Sequence, residues 1–67
     1  MGGANAQFRR SLYVVADVAR GEALTPQNVR SIRPGLGLPP AALPQVLGRP
    51  AARDLIRGEP LDWSMLA

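Results

Sequence analysis

The sequence predicts a small, mostly β domain with short strands, single helical turns and an internal pseudo-two-fold repeat. Seven glycines and seven prolines punctuate the 67 residues too often for a long helix to form. The longest stretch free of both contains a run of β-branched and aromatic residues, which favours a strand. A 13-residue pattern also occurs twice, 37 positions apart. A chain this short buries only about 60% of its unfolded surface, so we expect a single domain.

The first half begins with a strand over residues 11–16, whose sequence is SLYVVA. Gly21 then predicts a turn, because glycine readily adopts positive φ, and residues 22–24 resume an extended path. Thr25 and Pro26 predict the start of a short helical turn. The threonine hydroxyl can cap a free N–H group, and proline fits the first helical position.

Proline also organises the middle of the chain. Residues 31–33 are predicted to be extended because a proline follows them. Residues 34–40 read as a rigid, irregular loop with three prolines and two glycines. Residues 40–42 then form one helical turn, which Pro44 interrupts, and residues 44–47 form another.

The second half repeats the order of the first. Gly48 is expected to end the preceding helical turn at its C-terminus. Residues 49–56 are predicted to be extended, and residues 57–58, Arg-Gly, to turn. Asp62 can cap a last helical turn over residues 63–66, with Trp63 as a core or flank residue over that turn.

The repeat relates residues 17–29, DVARGEALTPQNV, to residues 54–66, DLIRGEPLDWSML. Both copies share Asp, Arg-Gly-Glu and Leu, and the caps Thr25 and Asp62 coincide. Two copies are too few for a solenoid, so we expect two halves clasped around one core. The repeated Arg-Gly-Glu triplets are predicted to form turns and local charge pairs. The predicted inward-facing residues are Val18, Leu24, Val29, Leu55, Leu61 and Leu66.

Composition excludes several functions. The chain has no cysteine and no histidine, so it lacks thiol nucleophiles, imidazole bases and the usual zinc ligands. Most of its five acidic residues stand at predicted turns or caps, which indicates structural roles. We therefore expect no catalysis by the isolated domain and no metal site in it. No apolar run approaches the roughly 20 residues of a membrane span, and no signal peptide is visible, so a cytoplasmic location is expected.

Several separated motifs together resemble a known family. These are FRRSLY at residues 8–13, DVARGEALTPQNVRSIRPG at residues 17–35 and RDLIRGEPLDW at residues 53–63. They are similar to the antifreeze-like (SAF) domain at the C-terminus of bacterial sialic acid synthases. Residues 38–44 also resemble the corresponding stretch of the type III antifreeze proteins of fish, which share this β-clip fold. Residues 8–67 are assigned to the domain, and residues 1–7 to a flexible lead-in.

The resemblance implies a role beside an enzyme active site. Such synthases join phosphoenolpyruvate to an N-acetylated amino sugar such as N-acetylmannosamine. The chemistry and a divalent metal, manganese or magnesium, belong to a (β/α)₈ barrel that this chain lacks. The family's antifreeze-like domain covers the barrel of the partner protomer in a homodimer, and an arginine in its Arg-Pro-Gly motif reaches the sugar's N-acetyl group. That arginine corresponds to Arg33, while Arg9 and Arg10 are candidate interface residues.

Other functions remain open at this stage. A free-standing SAF adaptor or chaperone of the flagellar P-ring or pilus type is the main alternative. Nucleic-acid binding is disfavoured, because the eight arginines are dispersed and only three aromatic residues are present. Ice binding is disfavoured by Arg30 beside Arg33, since an ice face is flat and weakly charged. The sequence does not distinguish the neuraminic, legionaminic and pseudaminic acid pathways.

Overall fold

Two short antiparallel strands lie at the centre of the computed structural model, which describes residues 9–67. Strand β1 spans Ser11–Val14 and strand β2 spans Val29–Ile32. Ser11 lies opposite Ile32, and Val14 lies opposite Val29. Strand β1 is two residues shorter than predicted, because the chain bends at Ala16. The predicted lead-in over residues 1–7 lies outside the described residues, as does Phe8.

The helical turns after the central loop are continuous. A 3₁₀ helix over Pro40–Ala42 runs directly into helix α1 over Leu43–Val46. Both predicted turns are present, the second one residue earlier than expected, but the prediction that Pro44 interrupts them was wrong. Pro44 lies in the first turn of α1, where its missing N–H would have had no intrahelical acceptor. Gly48 follows with φ of +88°, the left-handed conformation expected at the end of a helix.

Both predicted N-caps form their hydrogen bonds. The Thr25 hydroxyl accepts from the Gln27 N–H at 3.2 Å, and an Asp62 carboxylate oxygen accepts from the Ser64 N–H at 3.1 Å. After Asp62 a 3₁₀ helix spans Trp63–Met65. The residues after Thr25 make a hydrogen-bonded turn that passes straight into β2, so Val29 is a strand residue.

Residues 49–56 do not form the continuous extended segment that was predicted. Pro50 pairs with Ala23, Ala51 pairs with Leu66, and Leu55 pairs with Val18, each as an isolated bridge. The chain bends between Ala51 and Leu55, so successive residues face different partners. Neighbouring segments rather than one partner strand therefore hold this part of the chain.

The two copies of the repeat bind each other through matching hydrogen bonds. Val18 and Leu55 exchange both backbone bonds, at 2.9 and 2.7 Å. An Asp54 carboxylate oxygen accepts from the Arg20 N–H at 2.8 Å, and an Asp17 carboxylate oxygen accepts from the Arg57 N–H at 2.9 Å. Each copy thus caps the Arg-Gly turn of the other with its own aspartate.

The buried apolar side chains of residues 9–67 form one cluster, to which both copies of the repeat contribute. All six predicted core residues are buried, with exposures between 1 and 9%. The cluster also contains side chains from β1, from the helical turns and from the bridge residue Ala51. These further members are Leu12, Val14, Ala42, Val46, Ala51 and Met65. Within residues 9–67 no helix is long and apolar enough to cross a membrane.

Candidate functional site

The candidate site is the loop that leaves the end of β2. Arg33 follows the last residue of β2 directly, and its side chain is exposed. Pro34 comes next through a cis peptide bond, and the Leu36 N–H donates to the Pro34 carbonyl at 3.0 Å. Because a strand end and a tight turn bracket Arg33, its backbone is held on both sides while its side chain faces solvent.

A buried hydroxyl holds this loop against β1. Ser11 is 1% exposed, and its hydroxyl donates to the Pro34 carbonyl at 3.0 Å. The same oxygen accepts from the Gly37 N–H at 3.0 Å. One side chain therefore joins both ends of the turn that follows Arg33.

The end of the loop passes close to the backbone of two segments. A Cβ atom at Gly37 would lie 2.5 Å from the Leu12 carbonyl oxygen and 2.9 Å from the Leu61 nitrogen. Leu38 continues this contact, since its carbonyl accepts from the Leu12 N–H and its N–H donates to the Leu61 carbonyl, both at 2.9 Å. Only glycine fits at position 37 without displacing backbone.

An open cleft of about 500 Å³ lies beside the loop. Its lining residues are Arg9, Arg10, Ser11, Gly35, Gly37, Pro39 and Pro40. The Arg10 guanidinium donates to the Ser31 carbonyl at 3.2 Å, which ties the chain entering β1 to strand β2. The fold thus brings the two predicted interface arginines next to the Arg-Pro-Gly loop, whereas Arg33 itself does not line the cleft.

Two exposed apolar residues flank Arg33 in the sequence. Ile32 is 38% exposed and Leu36 is 67% exposed. Trp63 was expected in the core or at the flank of the last helical turn; at 48% exposure it is not a core residue. An exposed arginine with exposed aliphatic residues near it in the sequence suits a surface that becomes buried in a larger assembly.

The acidic residues of the repeat have structural partners. The Glu22 and Glu59 carboxylates accept from the backbone N–H groups of Ala19 and Ile56, at 2.9 and 2.7 Å. Glu59 also forms an ion pair with Arg53 at 3.0 Å, rather than with the arginine of its own triplet. Among residues 9–67 no three acidic side chains cluster in a way that could hold a metal ion.

Hydrogen bonds lower the pKa of two of these carboxyl groups. The Arg53 guanidinium, and after it the Ile56 N–H, hold the pKa of Glu59 below its ordinary value of 4.5. The hydroxyl and N–H of Ser64 lower the pKa of Asp62 in the same direction. The ionised carboxylates of Glu59 and Asp62 therefore stabilise the folded state.

We expect the Glu59 contribution to disappear in acid. A carboxyl group whose pKa is lowered by folding stabilises the protein at pH values above its pKa in the unfolded chain. This stabilisation is lost as the pH falls through its pKa in the folded protein. Glu59→Gln should lower the melting temperature by a few degrees at most near neutral pH, since the pair is solvent-exposed. Thermal melts from about pH 7 to about pH 3 should show this difference narrowing below about pH 4.5. A difference that stays constant over this range would exclude the assignment.

Sequence reasoning missed two residues of the site. The sequence predicts Ser11 only as the first residue of a strand, and Gly37 only as part of an irregular loop. The one signal for Ser11 is a small polar residue next to an apolar run, which is common in strands. Their roles depend on the hydrogen bond between them, and Ser11 and Gly37 lie 26 residues apart in the chain.

The fold and the site define a small β-clip domain that presents a stiffened loop beside two arginines. The chain belongs to the SAF domain family, whose sequence pattern matches residues 9–67. This confirms the resemblance inferred from the motifs.

Similar proteins include pseudaminic acid synthases and a spore coat polysaccharide biosynthesis protein. The pseudaminic acid synthase of Helicobacter pylori is 44% identical over 54 residues, or 81% of this chain, and that of Campylobacter jejuni is 40% identical over 60 residues, or 90%. The chain spans only 16 to 18% of the length of these relatives. A crystal structure of the Bacillus subtilis spore coat polysaccharide biosynthesis protein spsE superimposes with a TM-score of 0.83 and 26% identity, covering 96% of this chain and 19% of that one.

Proposed function

We propose that this chain is the C-terminal capping domain of a sugar acid synthase. The synthase condenses phosphoenolpyruvate with an N-acetylated amino sugar, and the domain closes the active site over the sugar. The two named synthases among the relatives favour pseudaminic acid as the product class. The observation that carries the proposal is the exposed Arg33 on a loop that Ser11 and Gly37 hold in place.

The chemistry of Arg33 suits an N-acetyl carbonyl. A guanidinium offers several N–H donors in a fixed plane and remains charged at every physiological pH. In the docked domain the exposed side chains of Ile32 and Leu36 would help to exclude water from the site. Exclusion of water strengthens the hydrogen bond from the Arg33 guanidinium to the N-acetyl carbonyl. Arg33 thus orients the sugar, and bond formation belongs to another part of the enzyme.

The remaining parts of the synthase lie in a (β/α)₈ barrel of the same enzyme, in the cytoplasm. The barrel holds the catalytic groups and the divalent metal, manganese or magnesium. The domain docks on the barrel of the partner protomer in a homodimer, with Arg9 and Arg10 at the contact. These arginines support the arrangement because they line the cleft beside the Arg33 loop.

The proposal is tested first by the gene. We expect the reading frame upstream of the Phe8 codon to encode a (β/α)₈ barrel in frame with this domain. A secretion signal directly before Phe8, with no barrel in frame, would contradict the proposal. The chain would then be a free-standing SAF module of the flagellar or pilus assembly type.

A further inference from the structure

We infer that Ser11 is a positioning residue for the sugar-binding loop, acting on the sugar through Arg33. This inference rests on the proposed function. Ser11 contacts the chain on both sides of Arg33: as a strand residue it lies opposite Ile32, and its hydroxyl bonds Pro34 and Gly37.

The burial of Ser11 makes these bonds effective. Ser11 is buried at 1% exposure, and its hydroxyl uses its single proton on the Pro34 carbonyl while accepting from the Gly37 N–H. A buried hydroxyl satisfied on both sides holds its partners to a narrow range of positions. A loop that must present one guanidinium to a substrate needs this kind of support.

Removal of the Ser11 hydroxyl affects the Gly37 N–H more than the Pro34 carbonyl. In Ser11→Ala the Pro34 carbonyl keeps the Leu36 N–H at 3.0 Å, so one of its bonds survives. The Gly37 N–H faces the lost oxygen and has no acceptor in its place. The turn after Arg33 is therefore released at one end, while β1 and β2 keep their backbone pairing.

The test uses the full-length synthase, with phosphate release from phosphoenolpyruvate as the assay. N-acetylated amino sugars, N-acetylmannosamine first, are screened to find the one that the wild-type enzyme accepts. Ser11→Ala should raise the KM for that sugar about five- to tenfold and leave the KM for phosphoenolpyruvate unchanged. Ser11→Thr, which restores a hydroxyl, should recover most of the loss. Val18→Ala is the control, since it removes buried volume at the bridge to Leu55, away from the loop.

A double-mutant cycle separates positioning from general destabilisation. If Ser11 acts through Arg33, then Ser11→Ala should not raise the sugar KM further in an Arg33→Ala background. Additive losses, or equal losses in Val18→Ala, would overturn the positioning role. A normal sugar KM in Ser11→Ala beside a raised one in Arg33→Ala would overturn this inference alone. A normal sugar KM in Arg33→Ala would overturn the proposed function, and the positioning role with it.

A second measurement uses this 67-residue chain itself. Amide hydrogen exchange in Ser11→Ala should accelerate at Gly37 at least about tenfold, while exchange at Val18 and Leu55 stays near the wild-type rate. Unchanged protection at Gly37 would show that the hydroxyl does not hold the loop. Equal acceleration at all three amides would show global destabilisation instead, and would also overturn the inference.

Discussion

Gly37→Ala is expected to destabilise the domain by about 3 kcal/mol and to lower its melting temperature by about 15 °C. The added Cβ would lie 2.5 Å from the Leu12 carbonyl oxygen, and 2.9 and 3.0 Å from the Leu61 nitrogen and oxygen. All three atoms belong to the backbone, so no side chain can rotate away. Relief requires the segments at Leu12 and Leu61 to separate, and these are joined by a 2.9 Å hydrogen bond. Thermal unfolding followed by circular dichroism measures the effect.

Gly58→Ala is the matched control for this prediction. Gly58 has φ of +102°, but a Cβ there would meet no heavy atom within 4 Å. Its replacement adds only the backbone strain of positive φ, about 1 kcal/mol. Gly37→Ala should therefore melt well below Gly58→Ala. Equal melting temperatures would mean that close approach at Gly37 is not the cause.

Arg33→Ala in the full-length synthase is expected to reduce kcat/KM for the amino sugar by about 10- to 100-fold, with the KM for phosphoenolpyruvate nearly unchanged. The loss is specific to the sugar because the guanidinium is proposed to bond its N-acetyl group. Arg33→Lys should recover only part of the activity, because an ammonium cannot reproduce the planar donor geometry. Steady-state kinetics with each substrate varied in turn measures both effects.

Arg30→Ala is the control for the loss of charge. Arg30 lies on β2 opposite Tyr13, is exposed, and precedes the loop by three residues. The Arg30→Ala substitution removes one positive charge, as Arg33→Ala does, but leaves the Arg-Pro-Gly turn unchanged. If Arg30→Ala and Arg33→Ala weaken sugar turnover equally, a general electrostatic effect explains the result and the specific role of Arg33 fails.

Mixing two impaired variants tests whether capping occurs between protomers. One variant carries Arg33→Ala, and the other an intact Arg33 loop with its barrel metal site disabled. In a mixed dimer the intact loop covers the intact barrel, so equal mixing should restore about a quarter of the wild-type activity. If the mixed dimers have exchanged subunits but show no recovery of activity, the loop of each protomer covers the barrel of the same protomer.

Local chemistry predicted much of the fold correctly. The positions of Gly21, Gly48 and Gly58 at turns follow from the ease with which glycine adopts positive φ, and all three do so. The caps Thr25 and Asp62 form as expected, because a capping side chain bonds to an N–H two residues away. The buried faces followed from comparing the two copies of the repeat.

The errors share one cause. Pro44 was expected to break a helical segment, yet it lies where a helix needs no N–H from it. Residues 49–56 were expected to be one extended stretch, yet their partners come from three different segments. The effect of Pro44 depends on where the helix begins, and the conformation of residues 49–56 depends on which segments pack beside them. Local composition determines neither.

The sequence by itself determined the family, the mostly β character, the core and the candidacy of Arg33, because these depend on residue types and short spacings. The tertiary structure alone decided how the loop is held and how the two Arg-Gly turns are capped. Asp17 lies 40 residues from the N–H that it caps, and Ser11 lies 23 and 26 residues from its two partners. Bonds of this span depend on how the chain is brought together, so they are set by packing and not by local preference.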